Sequence, residues 1–219
     1  VLDMYDFIKT PSRSEDFIPT GVDKLDALLE GGIPKGFMTL ILTVPGSGCE
    51  ILFKQIAASG DALIFSTEES EEEIISTMER FGWKTDGIEI VDIASKYIET
   101  VLLSQEKRVS IYQKRAGVDL KELIAESSGG FPQIKKSQPD FLAILGDRIK
   151  ESKIPKRIIL YMLDFFLDQY PHTDVIKTIH AMKVANLKNK GALFIFMTKG
   201  VYGGLFERRM EGIADCVIE

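Results

Sequence analysis

Two glycines separated by one residue, in Val44-Pro45-Gly46-Ser47-Gly48-Cys49-Glu50, have the outline of a loop that cradles phosphate. Glycines in such a loop expose backbone N–H groups to an anion, and a helix starting directly after it adds its dipole. A functioning loop of this type continues with a lysine, which neutralises the outer phosphates, and then a hydroxyl residue, which binds magnesium. Here those two places are taken by Cys49 and Glu50, and the place of the loop's first glycine is taken by Thr43. One positive charge is lost and one negative charge is gained. Two unit charges 4 Å apart interact by about 4 kcal/mol at an effective dielectric near 20, so triphosphate binding is expected to be weak. Glu50 falls in the first turn of the expected helix, where its carboxylate is predicted to take the exposed N–H groups for itself.

Other groups with chemical potential are few. Glu68-Glu69 follows an apolar run, and the plain reading of this carboxylate pair is a stabilising position near a helix N-terminus. Lys54 and Lys199 are the lysines that could replace the missing loop cation. Cys49 at a helix N-terminus could be a reactive thiol, but Glu50 opposes thiolate formation and no histidine is near in sequence, so a small inert residue is expected. His172 and His180 are too scattered for a metal site or a triad. No metal site is predicted.

These residues need strands and helices to hold them. Runs rich in branched or aromatic residues, predicted as strands, are Phe37 to Leu42, Ala62 to Ser66, Ile88 to Ile93, Arg157 to Leu163, Ala192 to Met197 and Asp215 to Ile218. Amphipathic stretches alternate with them: Glu50 to Ser59, Glu71 to Phe81, Asp119 to Ser127, Phe141 to Lys150 and Asp174 to Asn189. Strands this uniformly apolar are covered on both faces, which predicts an α/β fold with a mostly parallel, doubly wound sheet. Ser70-Glu71-Glu72-Glu73 has the form of a capping box, and Gly60, Gly82 and Gly191 stand where helices should stop. Phe165-Phe166 reads as a continuation of its strand, and Tyr202-Gly203-Gly204-Leu205-Phe206 as a glycine-rich hairpin tip. Residues 1–19 read as an N-terminal extension and 20–219 as a single domain. A helical insertion with a mobile connection, or a partner-binding segment, is expected around 97–137.

The segment Thr20-Gly21-Val22-Asp23-Lys24-Leu25-Asp26-Ala27-Leu28-Leu29-Glu30-Gly31-Gly32-Ile33-Pro34-Lys35-Gly36 resembles the opening of the KaiC-like branch of the RecA superfamily of P-loop ATPases. Pro45-Gly46-Ser47-Gly48, Ser66-Thr67-Glu68-Glu69-Ser70, Phe81-Gly82-Trp83 and Gly212-Ile213-Ala214-Asp215-Cys216-Val217-Ile218 follow in the order that family shows. The resemblance implies a RecA-like core, ATP at the strand–loop–helix junction, a glutamate at Glu68 or Glu69 as catalytic base, and a ring-shaped homo-oligomer. It also implies a magnesium-supporting aspartate followed by serine at the end of a later strand. Tyr161 and Met162 stand there instead, and Asp164 comes three residues later, where an extended strand would carry it to the other face and far along. Both nucleotide motifs are therefore degenerate.

The chain has 219 residues, 45% of them hydrophobic, which is enough for one large domain with a sizeable core. With 27 basic and 33 acidic residues its net charge is -6, which gives no general attraction to nucleic acid or anionic membrane. Two distant cysteines and no long apolar run point to a soluble, cytoplasmic protein, and the presence of only two asparagines leans toward a heat-adapted source. The reading that results is a pseudo-ATPase without cofactor, serving as a regulatory or scaffold subunit beside copies of itself or an active ATPase paralogue. The alternatives are an unusual ATPase that uses ATP and magnesium through Glu68 or Glu69, and a recombinase-like DNA-binding paralogue.

Overall fold

The structure is a computed structural model, in which residues 16–101, 139–151 and 154–219 are described. Its centre is a six-stranded parallel sheet. The strands are β3 (Met38–Thr43), β4 (Ala62–Ser66), β5 (Ile88–Asp92), β6 (Arg157–Tyr161), β7 (Ala192–Thr198) and β8 (Cys216–Ile218). They lie in the order β5-β4-β6-β7-β3-β8, and a small antiparallel ribbon of β1 (Phe17–Ile18) and β2 (Ile33–Pro34) stands apart.

Side chains alternate across the strands and so divide the core in two. Leu40, Leu63, Phe65, Ile158, Leu160, Leu193 and Ile195 point to one face. That face is covered by α4 (Phe141–Arg148), α5 (Asp164–Gln169), α6 (His172–Asn189) and α7 (Gly204–Ile213), through Leu145, Phe166, Ile179 and Met210 among others. Ile41, Ile64, Ile159, Tyr161, Phe194 and Phe196 point to the other face, which is covered by α2 (Cys49–Ala58) and α3 (Glu71–Arg80) through Phe53, Ile56, Ile74 and Met78. Both faces are covered, so β3, β4 and β6 are buried at every position, as their sequences predict.

The local signals hold where they were specific. Ser70 and Glu73 form the reciprocal capping box at the start of α3, and Gly82 takes a left-handed conformation just past its end. After α6 the left-handed residue is Lys190, one position before the glycine. Gly191 is required for a different reason: a Cβ there would lie 2.6 Å from the Lys156 carbonyl oxygen.

Two segments differ from expectation. Asp164 to Gln169 forms α5 and does not continue β6: the strand ends at Tyr161 and the chain turns at once. The Gly203-Gly204 pair opens α7 where a hairpin tip was expected, and Phe206 and Met210, one helical turn apart, anchor it to the core. Residues 93–101 are helical and run into the expected insertion, while most of that insertion and the predicted helix at Asp119 to Ser127 lie outside the described residues.

The leading segment is fastened to the amino edge of the sheet. Helix α1 (Asp23–Leu28) buries none of its own residues. Its Asp26 carboxylate accepts the Thr20 and Gly21 N–H groups at 2.7 and 3.1 Å. Gln55 of α2 donates to the Gly21 carbonyl at 2.7 Å, and the buried Arg157 donates to the Pro19 carbonyl at 3.0 Å.

Candidate functional site

In open parallel sheets, ligands bind beyond the carboxyl ends of the strands. There, β3 runs into the loop 44–48 and then α2. Gly46 and Gly48 both have left-handed backbone angles, at φ 79° and 76°, and a Cβ on either would meet nothing within 4 Å. The backbone at both glycines faces open space. Ser47 N–H closes a turn onto the Val44 carbonyl at 3.0 Å, and Lys199 N–H donates to the Thr43 carbonyl at 2.8 Å, tying the loop's first residue to β7.

No side chain caps α2. The expectation that Glu50 fills the anion niche is therefore corrected. Its side chain is exposed and does not fold back onto the first-turn N–H groups, of which Ile51 N–H donates to the Gly48 carbonyl at 3.0 Å. Val44 and Pro45 are exposed beside it, and Cys49 is half-buried.

The position expected to anchor magnesium is closed by an aromatic stack. Tyr161 is 4% exposed. It stacks on Phe53 with ring centroids 4.1 Å apart, and meets Phe196 edge-on at 5.6 Å. Its hydroxyl oxygen lies 3.8 Å from the Cys49 Sγ. Burial, then Cys49 and the carboxylates of Glu68 and Glu69, push the phenol well above its ordinary pKa, so it remains a neutral proton carrier. A neutral, buried phenol is a poor ligand for a hard dication. Among the described residues no group of three or more histidine, cysteine, aspartate or glutamate side chains is arranged to hold a metal. The loop backbone is open to an anion at Gly46 and Gly48; the place for magnesium does not fit the ion.

Glu68 and Glu69 sit just past β4, and their surroundings separate them. Glu69 accepts a 2.6 Å ion pair from Lys54, whose side chain is 1% exposed, while its own is 22% exposed. Lys54 also lies 4.8 Å from the Phe53 ring centroid. The ion pair commits Lys54 and one oxygen of Glu69, whose Oε1 is buried without a partner among the described residues. Lys199, the other lysine considered as a substitute cation, is ion-paired with Glu219. Glu68 is exposed at the mouth of the site, and partial burial together with the nearby Asp164 and Glu69 carboxylates raises its pKa.

Asp164 is the second correction. It does not run far along the other face. The turn after Tyr161 places it in the first turn of α5, where its carboxylate accepts the Thr198 N–H at 3.0 Å and acts electrostatically on Glu68. Thr67, which the sequence did not single out, fixes this arrangement. Its N–H donates to the Tyr161 carbonyl at 2.8 Å, and its buried hydroxyl accepts from Met162 N–H at 2.9 Å. A threonine at a strand end carries no signal for such a role before the strand pairing is known. His172 packs on Phe206, at 4.8 Å between ring centroids, away from these groups.

A parallel sheet covered on both faces, with a strand–loop–helix junction at its carboxyl edge, defines an α/β protein of RecA-like fold. A family of unknown function, DUF7125, matches residues 17–120. The DNA repair protein RadA of Mycobacterium tuberculosis is 38% identical over 89 residues, covering 38% of this chain and 18% of RadA. The UPF0273 protein of Thermotoga maritima is 32% identical over 77 residues, covering 33% of this chain and 32% of that protein. The chain thus spans less than a third of the length of these curated relatives. They support a relationship to the RecA superfamily, on its KaiC-like side. No helix among the described residues is long and apolar enough to cross a membrane.

Proposed function

We propose that this chain is a RecA-fold pseudo-ATPase, with degenerate nucleotide motifs, that acts as a regulatory or scaffold subunit in a homo-oligomer or beside an active ATPase paralogue in the cytoplasm. The observation that carries the reading is Tyr161, held between Phe53 and Phe196 and against Cys49 where a metal-supporting carboxylate would be needed. The loop keeps its backbone donors but has no free lysine beside it, because Lys54 and Lys199 are both paired with glutamates. A nucleotide reaching the cradle would meet Glu50 and Glu68 without a compensating cation.

Calorimetry with ATP and magnesium tests this directly. Binding weaker than millimolar and no hydrolysis are expected; a dissociation constant in the low micromolar range overturns the reading. Cys49→Lys with Glu50→Thr should raise affinity for ATP at least about tenfold, because the added ammonium meets a loop whose backbone is open at Gly46 and Gly48. Unchanged affinity would mean that charge is not what weakens the site.

One observation favours a second reading, an ATPase that works through Glu68 with ATP and magnesium. Its carboxyl lies at the mouth of the site with a raised pKa, which moves a carboxylate toward the range of a general base. Turnover that disappears in Glu68→Gln would establish it. A recombinase-like DNA-binding role, to which the name of the RadA relative also points, is opposed by the net charge of -6.

A further inference from the structure

On the face away from the loop, α4 and α6 leave a groove of about 740 Å³ between them. Its floor is apolar, formed by Ile149, Ile154, Ala181 and Val184, and Lys188 stands on its rim. Val184 is 52% exposed and the neighbouring Leu187 63% exposed, on a helix whose inner side is fully packed. Lys188 has no carboxylate partner among the described residues, whereas Lys177 and Lys183 of the same helix have one each. Apolar surface of this kind, with a spare charge at its edge, is suited to being covered.

We propose that residues 1–15 of this same chain cover it. The described chain begins at Asp16, and a short series of contacts leads from there to the groove. The Asp16 carbonyl accepts the Lys35 N–H at 2.9 Å, and the next residue, Gly36, donates its N–H to the Gly191 carbonyl at 2.6 Å. Gly36 also packs so closely on Leu187 that a Cβ there would lie 2.8 Å from its side chain. Leu187 directly precedes Lys188 on the rim, and Asn189 at the groove's end donates to the Ile154 and Pro155 carbonyls at 3.2 and 2.9 Å. The segment therefore joins the fold at the end of α6 that borders the groove.

Reach and chemistry agree with this. From Asp16 back to Phe7 the chain can extend about 30 Å at roughly 3.3 Å per residue. From Asn189 back to His180, α6 rises only about 14 Å at 1.5 Å per residue. Leu2, Met4, Tyr5, Phe7 and Ile8 supply apolar side chains for the floor, and Asp3 and Asp6, interleaved with them, supply a carboxylate for Lys188. Of the stretches outside the described residues, the longest leaves and rejoins the chain at 101 and 139, beside the opposite end of α4. The contact does not depend on whether the loop binds a nucleotide.

Trypsin tests the proposal on the full chain, by the rate of cleavage after Lys9 read from the released peptide by mass spectrometry. Val184→Asp on the floor and Phe7→Asp in the segment should each speed cleavage at least tenfold over the unsubstituted protein. Leu205→Asp, at an exposed position on α7, should leave it unchanged. Equal rates in the unsubstituted protein, Val184→Asp and Phe7→Asp overturn the proposal. Protection that grows with protein concentration overturns it in favour of a second copy supplying the segment.

Discussion

The two edges of the central sheet are built on opposite terms. At the amino edge the polar groups are committed to structure: Asp26 holds Thr20 and Gly21, Arg157 holds Pro19, and Gln55 holds Gly21. At the carboxyl edge the glycine loop is open and its helix uncapped, while the side chains around it are fixed by an aromatic stack and an ion pair. Glycines make the contrast concrete. A Cβ on Gly32 would lie 2.4 Å from the Ile18 carbonyl oxygen, whereas one on Gly46 would meet nothing. The first glycine is there because the fold is tight, the second because the backbone must curve around an empty space. An edge whose glycine loop stays open while Lys54 and Lys199 are both paired with glutamates leaves an anion no free lysine to meet.

The largest effect should come from forcing the lost chemistry back. Tyr161→Asp would place a carboxylate against Phe53 and Phe196 and remove a ring from the stack, costing about 4 kcal/mol. Tyr161→Phe, which gives up only the contact with Cys49, should stay within about 1 kcal/mol. Urea midpoints of the two variants decide it, and a stable Tyr161→Asp would mean that the carboxyl edge can still accept a metal ligand.

Gly32→Ala should cost about 3 kcal/mol, combining the clash with Ile18 and a φ of 119°. Gly46→Ala carries only the backbone term, about 1 kcal/mol. Similar losses in chemical denaturation at both positions would erase the distinction between the edges.

Next in size is Glu69→Gln. It leaves the Lys54 ammonium buried without its counter-charge, and a loss of about 2 kcal/mol is expected after allowing for the partial exposure of Glu69. Replacing both partners, Lys54→Met with Glu69→Leu, should recover most of it. A loss of activity on changing Glu69 would thus report folding as much as catalysis, which makes Glu68 the cleaner probe.

The sequence carried much of the frame. β4 matches its expected span at both ends, and the other central strands differ by a residue or two, because runs such as Ala-Leu-Ile-Phe-Ser can be buried on both faces only as strands. The six-residue α5 was hidden because Leu163, Phe165, Phe166 and Leu167 make an apolar run too dense to show a helical period. α7 was hidden by its two leading glycines, although the spacing of Phe206 and Met210 was a readable sign. The site was legible as a set of substitutions but not as an arrangement. That Lys54 belongs to Glu69, or that Asp164 returns toward Glu68, follows from the pairing of β4 with β6 and from the turn after Tyr161, neither of which is local in sequence.

The smallest expected effect sharpens the same comparison, because it concerns a carboxylate at this edge that has no ion-pair partner among the described residues. The folded pKa of Glu68 is raised by burial and by Asp164 and Glu69, so the folded state holds this proton more tightly than the unfolded chain does. Stability from this group is therefore present below its unfolded pKa and declines as the pH rises from there through the folded value. At neutral pH Glu68 is a small net liability, and Glu68→Gln should raise stability slightly while flattening the dependence of the urea midpoint on pH above the ordinary glutamate range. A midpoint that falls at pH 7 in Glu68→Gln would mean that the carboxylate has a stabilising partner at the mouth of the site. The repulsion from Asp164 that sets Glu68 apart from Glu69 would then be compensated, and the carboxyl edge would be as fully committed as the amino edge.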